Sequence, residues 1–196
     1  MHAVVFVVLA RWLRRQGLDV RCFSYASVSR DLDTNSEALA RFVAAIPGRQ
    51  RIHLVGHSLG GLVILGMLAR GADPRIARAV LMGSPCNGSH CASTLLRTPL
   101  SPVIGRSIAQ ALVRREWPFS PQIQIGILSG IGGIGMGRII PGLAVPNDGV
   151  VTVKETFLSG CAERITLPVS HSAMLFSKAC AEQVSAFLLA GHFVHE

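Results

Sequence analysis

A serine framed by glycines, at the junction of two apolar patterns of different period, constrains this chain more than any other feature. Residues 51–67 read RIHLVGHSLGGLVILGM. Before the glycines, Ile52, Leu54 and Val55 form a short apolar run of strand length; after them, Leu62, Leu65 and Leu68 recur at a helical spacing. A chain that passes from strand to helix across Gly56-His57-Ser58-Leu59-Gly60 has to turn sharply, with Ser58 at the apex in a strained backbone conformation. That geometry crowds the residues two before and two after, where Gly56 and Gly60 carry no Cβ to clash. The helix that follows aims its first amides at the serine, so the Leu59 N–H is placed to stabilise negative charge developing there. With 20 glycines in 196 residues, a bare Gly-x-Ser-x-Gly means little. The strand before it and the helix after it carry the inference.

The remaining segments extend this alternation. Residues 1–17, MHAVVFVVLARWLRRQG, lack a turn residue between Val8 and Trp12, so the pattern predicts one helix from about residue 3 to Gln16, closed by Gly17. It does not resemble a signal peptide, because Arg11, Arg14 and Arg15 follow the apolar part. Leu18 to Tyr25 alternates as a strand, and Asn35 or Ser36 is placed to cap a helix from Glu37 to Ala45. Further strands are expected at about Ala79 to Met82, Ile123 to Leu128 and Ile165 to Leu167, with a closing helix from Ala173 to Leu189. Alternating apolar strands and helices indicate a mostly parallel sheet covered by helices on both faces. The length suits one domain, 1–196. Residues 89–121 read as a small helical cap over the strand ends, with a helix from Val103 to Arg115.

Composition excludes several classes. The formal charge is +8, almost all of it arginine, with Lys154 and Lys178 as the lysines. Because the arginines are scattered and aromatics are few, no basic stripe or stacking platform for nucleic acid emerges. No apolar run reaches the roughly 18–20 residues of a membrane span. The five cysteines (Cys22, Cys86, Cys91, Cys161, Cys180) are odd in number and contain no C-x-x-C pair, so neither a zinc site nor a disulfide framework is indicated. Cys22 and Cys180 sit in apolar patterns and are expected to behave as small hydrophobes.

A serine hydroxyl needs a base within hydrogen-bond reach, and that base needs an acid to orient it. In a strand–turn–helix arrangement of this kind the partners follow in the order serine, acid, histidine, each on a loop after a strand. Of seven histidines, only His171 lies between a late strand and the last helix. His53 lies within the strand before the serine, and His57 adjoins the serine but points away from it. Asp148, in the turn Asn147-Asp148-Gly149, is the candidate acid, with Glu155 as the fallback.

In these pieces the chain resembles an α/β-hydrolase of the bacterial lipase/esterase type, including triacylglycerol-lipase-like and GPI-inositol-deacylase-like groups. They are the segment from Leu54 to Gly61, the turn from Gly83 to Ser89, the segment from Pro146 to Val151, and the segment from Val169 to Ser172. The resemblance implies that Ser58 is nucleophile, Asp148 acid and His171 base, with His57 and Leu59 flanking the nucleophile and no metal or cofactor. It implies cleavage of carboxylic esters through an acyl-enzyme; the apolar residues of the insertion (Leu95, Leu96, Leu100, Val103, Ile104, Trp117 and Phe119) point to an acyl chain or lipid as substrate, and ordinary packing of a cap gives the same pattern. The expected partner is a small-molecule or lipid ester, with peripheral membrane contact, and the expected compartment is the cytoplasm. A non-catalytic binding member and an acyltransferase with the same triad are the alternatives. Such proteins usually open with a strand and a His-Gly oxyanion loop ahead of the helix that Leu9 to Gln16 resembles. The reading therefore expects either a start upstream of Met1 or a shortened member with an impaired oxyanion hole.

Overall fold

Four strands form one sheet in sequential order, and every neighbouring pair is parallel. The computed structural model describes residues 3–97, 107, 109, 116–133 and 142–195. The strands are β1 (Ile52–His57), β2 (Ile76–Met82), β3 (Gln124–Gly130) and β4 (Glu163–Leu167). The helices are α1 (Val7–Arg15), α2 (Leu32–Ala44), α3 (Leu59–Leu68), α4 (His90–Leu96) and α5 (Lys178–Ala190).

Strand alternation divides the core in two. Ala79 and Leu81 of β2 and Ile125 and Ile127 of β3 join α2 and α3 in one apolar cluster. Val80, Met82 and Leu128 face the other way and pack with Leu9 and Leu13 of α1 and with Val184, Phe187 and Leu188 of α5. The central strands are therefore buried on both faces, as continuous apolar runs in a parallel sheet require. α3 is apolar all round, and Leu59 and every residue from Gly61 to Leu68 are buried. It fills the position nearest the sheet rather than presenting a solvent face.

Several boundaries differ from the sequence expectation. Leu18 to Tyr25 forms no strand, although Leu18 and Val20 pack toward one core cluster and Phe23 and Tyr25 toward the other. The alternation is present, but no described strand lies beside it to complete a ladder. α2 starts earlier than expected because Asp31, not Asn35 or Ser36, is its cap: the Asp31 side chain accepts from Thr34 N at 2.7 Å. Asn35 and Ser36 lie inside the helix and are buried, and Ser36 Oγ donates to Leu32 O at 2.8 Å. The closing helix is interrupted. A 3-10 turn spans Ala173–Leu175, and α5 begins afresh under a cap from Ser177 Oγ to Cys180 N. Cys22 is exposed rather than packed, and all five cysteines are free thiols.

About half of the expected cap, residues 98–106, 108 and 110–115, lies outside the described residues, including most of the helix expected from Val103 to Arg115. Of its described part, α4 is capped by Ser89 Oγ on Ala92 N. Trp117 is buried in the α2–α3 cluster with its Nε1–H donating to Cys86 O at 2.8 Å, and Phe119 packs against that cluster. These two aromatics serve the core.

Candidate active site

Each strand leads out of the sheet at its carboxyl end into a loop that carries one part of a polar cluster. β1 ends at His57, and Ser58 follows with φ +54° and ψ −126°, the positive φ among non-glycine residues described. Its amide is held by Met82 O at 2.9 Å. Strain of this kind costs on the order of 1–3 kcal/mol and persists only where packing enforces it. The enforcement comes from glycine contacts on both sides of the apex. A Cβ on Gly56 would lie 2.6 Å from Gly61 N, and one on Gly61 would lie 2.7 Å from Ser84 Cβ. Gly60 is different, because the nearest atom to a Cβ there is Tyr25 Oη at 3.7 Å. The crowding expected at Gly60 belongs to Gly61 instead.

Asp148 is buried in the turn after β3. Its Oδ1 accepts from Val150 N at 2.9 Å and Val151 N at 2.7 Å, and its Oδ2 lies 2.7 Å from His171 Nδ1. The backbone repeats the link, since His171 N donates to Asp148 O at 2.8 Å. A carboxylate that accepts three such bonds fixes both the orientation and the tautomer of the ring, because Nδ1 must carry the proton it donates. Glu155, the fallback acid, has another task. Its Oε2 accepts from Thr152 N at 2.7 Å and Thr152 Oγ1 at 3.0 Å, and its Oε1 accepts from His90 N. It ties the β3–β4 connection to the start of α4.

Gly83, the first residue after β2, sits under this pair. A Cβ there would stand 3.0 Å from Asp148 Oδ2 and 3.1 Å from His171 Nδ1, and its φ is +54°. Only glycine leaves the aspartate and histidine room to meet.

The sequence placed His57 beside the nucleophile and pointing away from it, and its contact with His171 was not foreseen. Its ring is buried and packs against that of His171, with centroids 4.6 Å apart. Nε2 lies 2.8 Å from His171 O, and a carbonyl only accepts, so the proton sits on Nε2. The other nitrogen, Nδ1, is buried and has no partner among the described residues. Burial first, and the neighbouring His171 second, push the His57 pKa down to about 4, so the ring is neutral near pH 7. The sequence signal was available: a histidine next to the apex serine must project back under the sheet end, where the loops of later strands converge.

Ser58, Asp148 and His171 thus stand at the same end of the sheet. Among the described residues Ser58 Oγ has no hydrogen-bond partner, and the same holds for His171 Nε2 and the Leu59 amide. A second donor facing Ser58 beside the Leu59 amide is not identified among them. Nor do His, Cys, Asp and Glu gather there into a group that could hold a metal ion.

A parallel sheet with helices on both faces and a strained serine leading into α3 defines an α/β-hydrolase. The chain belongs to the alpha/beta hydrolase family, whose sequence profile matches residues 2–196. No curated protein sequence matches it significantly. Among solved structures it is similar to the mature lipase BlEst2 of Bacillus licheniformis, with TM-score 0.71 and 15% identity over 96% of this chain and 86% of that one. It is also similar to the phospholipase PlaB of Legionella pneumophila, with TM-score 0.67 and 17% identity over 96% of this chain and 56% of that one. The methylesterase MES16 of Arabidopsis gives TM-score 0.62 and 16% identity over 96% and 93%. At these identities the likeness is one of fold.

Proposed function

We propose that this chain is a serine hydrolase that cleaves carboxylic esters through an acyl-enzyme. The observation that supports it best is the buried His171–Asp148 pair at 2.7 Å, at the sheet end where Ser58 is held at positive φ. His171 Nε2 takes the proton from Ser58 Oγ as that oxygen bonds to the ester carbonyl carbon. The negative charge formed on the carbonyl oxygen faces the Leu59 N–H at the start of α3. Collapse of the tetrahedral adduct breaks the bond to the alkoxide, which leaves with the proton from His171. Water then enters, gives one proton to His171, and releases the acid while Ser58 Oγ recovers its proton. Asp148 stays ionised throughout and stabilises the imidazolium.

An acyl or lipid ester is the proposed substrate class, supported by the named activities of the lipase and phospholipase that share the fold. Contact with a lipid surface belongs to this proposal. The same triad would serve transfer to an alcohol or thiol. A second reading is a non-catalytic binding member, in which no second donor joins the Leu59 amide at Ser58; among the described residues none is identified there. Loss of one such donor costs about 10²–10³ in turnover.

Turnover of p-nitrophenyl acetate, butyrate and octanoate tests the proposal. Measurable hydrolysis that falls by about 10⁴-fold or more in Ser58→Ala is expected. Binding of these esters without any turnover would favour the second reading.

A further inference from the structure

His171 stands on a loop. It lies between β4, which ends at Leu167, and the 3-10 turn at Ala173–Leu175, so neither a ladder nor a helix fixes its place. Asp148 holds it from one side, through Nδ1 at 2.7 Å and through the backbone N–H at 2.8 Å. Both bonds lead back to the turn after β3. Neither reaches β1, the strand that carries Ser58 at its end.

His57 spans that gap. It is the last residue of β1, its backbone in register with Met82 of β2 and Ser58 next in the chain. Its Nε2–H donates to His171 O at 2.8 Å, and its ring lies against the His171 ring with centroids 4.6 Å and planes 48° apart. Both histidines are buried, where a polar group left unpaired is costly. Nδ1 of His57 bonds to nothing among the described residues, so the ring's polar contact is the one it makes to His171. Its neutral state near pH 7 lets it face an imidazolium on His171 without charge repulsion.

We infer that His57 is a positioning residue: by tying the loop of His171 to the end of the strand that carries Ser58, it sets where the imidazole stands relative to the serine hydroxyl. This role rests on the reading of His171 as the base in ester cleavage. A misplacement of about 1 Å between reacting groups costs on the order of 10²-fold in rate. One hydrogen bond at this place therefore acts on turnover without touching substrate.

Three variants separate the hydrogen bond from the bulk of the ring. His57→Gln keeps an N–H near the place of Nε2, His57→Phe keeps a ring without the donor, and His57→Asn is polar but too short to reach the carbonyl. With p-nitrophenyl butyrate, kcat is expected to fall by about 10²-fold in His57→Phe and His57→Asn, with KM changed by less than about threefold. His57→Gln is expected to recover kcat to within about tenfold of the parent. A thermal melt shows which variants are folded, and His57→Asn carries the comparison if His57→Phe is not. The magnetic resonance signal of the His171 Nδ1 proton gives a readout that needs no substrate. It should stay sharp in the parent and His57→Gln and broaden by exchange with water in the other two. Parent-like kcat in a folded variant without the donor, or a loss in His57→Gln as large as theirs, would overturn the inference. A parent with no ester turnover would remove the hydrolase reading instead. The proton signal then decides alone, and equal sharpness in the parent and the variants without the donor overturns the role of His57.

Discussion

Asp148 uses both carboxylate oxygens, one on the turn amides of Val150 and Val151 and one on His171 Nδ1. Asp148→Asn preserves the first set and replaces the second acceptor with an amide donor, which forces His171 into the wrong tautomer. Ester turnover should fall by about 10⁴-fold with little change in melting temperature, and steady-state kinetics beside a thermal melt would check both. His57 gives a prediction of the opposite kind, in stability rather than rate. Its folded pKa of about 4 lies below the ordinary histidine value of about 6.5, so between those pH values the unfolded chain binds a proton that the folded chain refuses. Stability therefore falls as pH drops from about 6.5 to 4, by roughly 3 kcal/mol from this group. Denaturant unfolding across that window should show the slope in the parent and a shallower one in His57→Gln. An equal slope in both would mean that the ring is not neutral and buried as described.

At the scale of elements, the turn from β1 into α3 separates two glycines that look alike in sequence. Gly61→Ala drives a Cβ into Ser84 and should destabilise by about 1–3 kcal/mol. Gly60→Ala meets Tyr25 Oη at an ordinary van der Waals distance of 3.7 Å and gains helix propensity, so its melting temperature should hold or rise slightly. Differential scanning calorimetry of the pair checks this, and equal losses would contradict it. That contrast also marks what was legible in the sequence. The elbow, the first helix ending near Gln16, the four strands of the sheet and the Asn147–Gly149 turn followed from local period and turn chemistry, whereas the start of that helix at Val7 and the absence of a strand at Leu18 to Tyr25 did not. Spacing around a motif, however, does not reveal which atom lies across from a given Cβ. The packing of Ser84 against Gly61, and of His57 against His171, depends on loops from different strands meeting in space. α2 shows the same limit. Either Asn35 or Ser36 satisfied the cap pattern, but burial of both against the core left that place to Asp31. Asp31→Ala should cost about 1 kcal/mol in unfolding free energy, visible as a lower urea midpoint.

For the molecule as a whole, one parallel sheet brings residues 58, 148 and 171, far apart in sequence, to a single end. Among the described residues β1 is an edge of that sheet, and a cavity of about 360 Å³ lies beside it. The two features are linked through β1, which ends in the serine turn and borders the cavity along its length. Among the described residues no helix is long and apolar enough to cross a membrane. Mass-spectrometric mapping of a fluorophosphonate adduct on the folded chain tests the central claim most directly. The adduct should sit on Ser58, disappear in Ser58→Ala and form far more slowly in His171→Ala. A folded chain that takes no label, or one labelled at another residue, would contradict it.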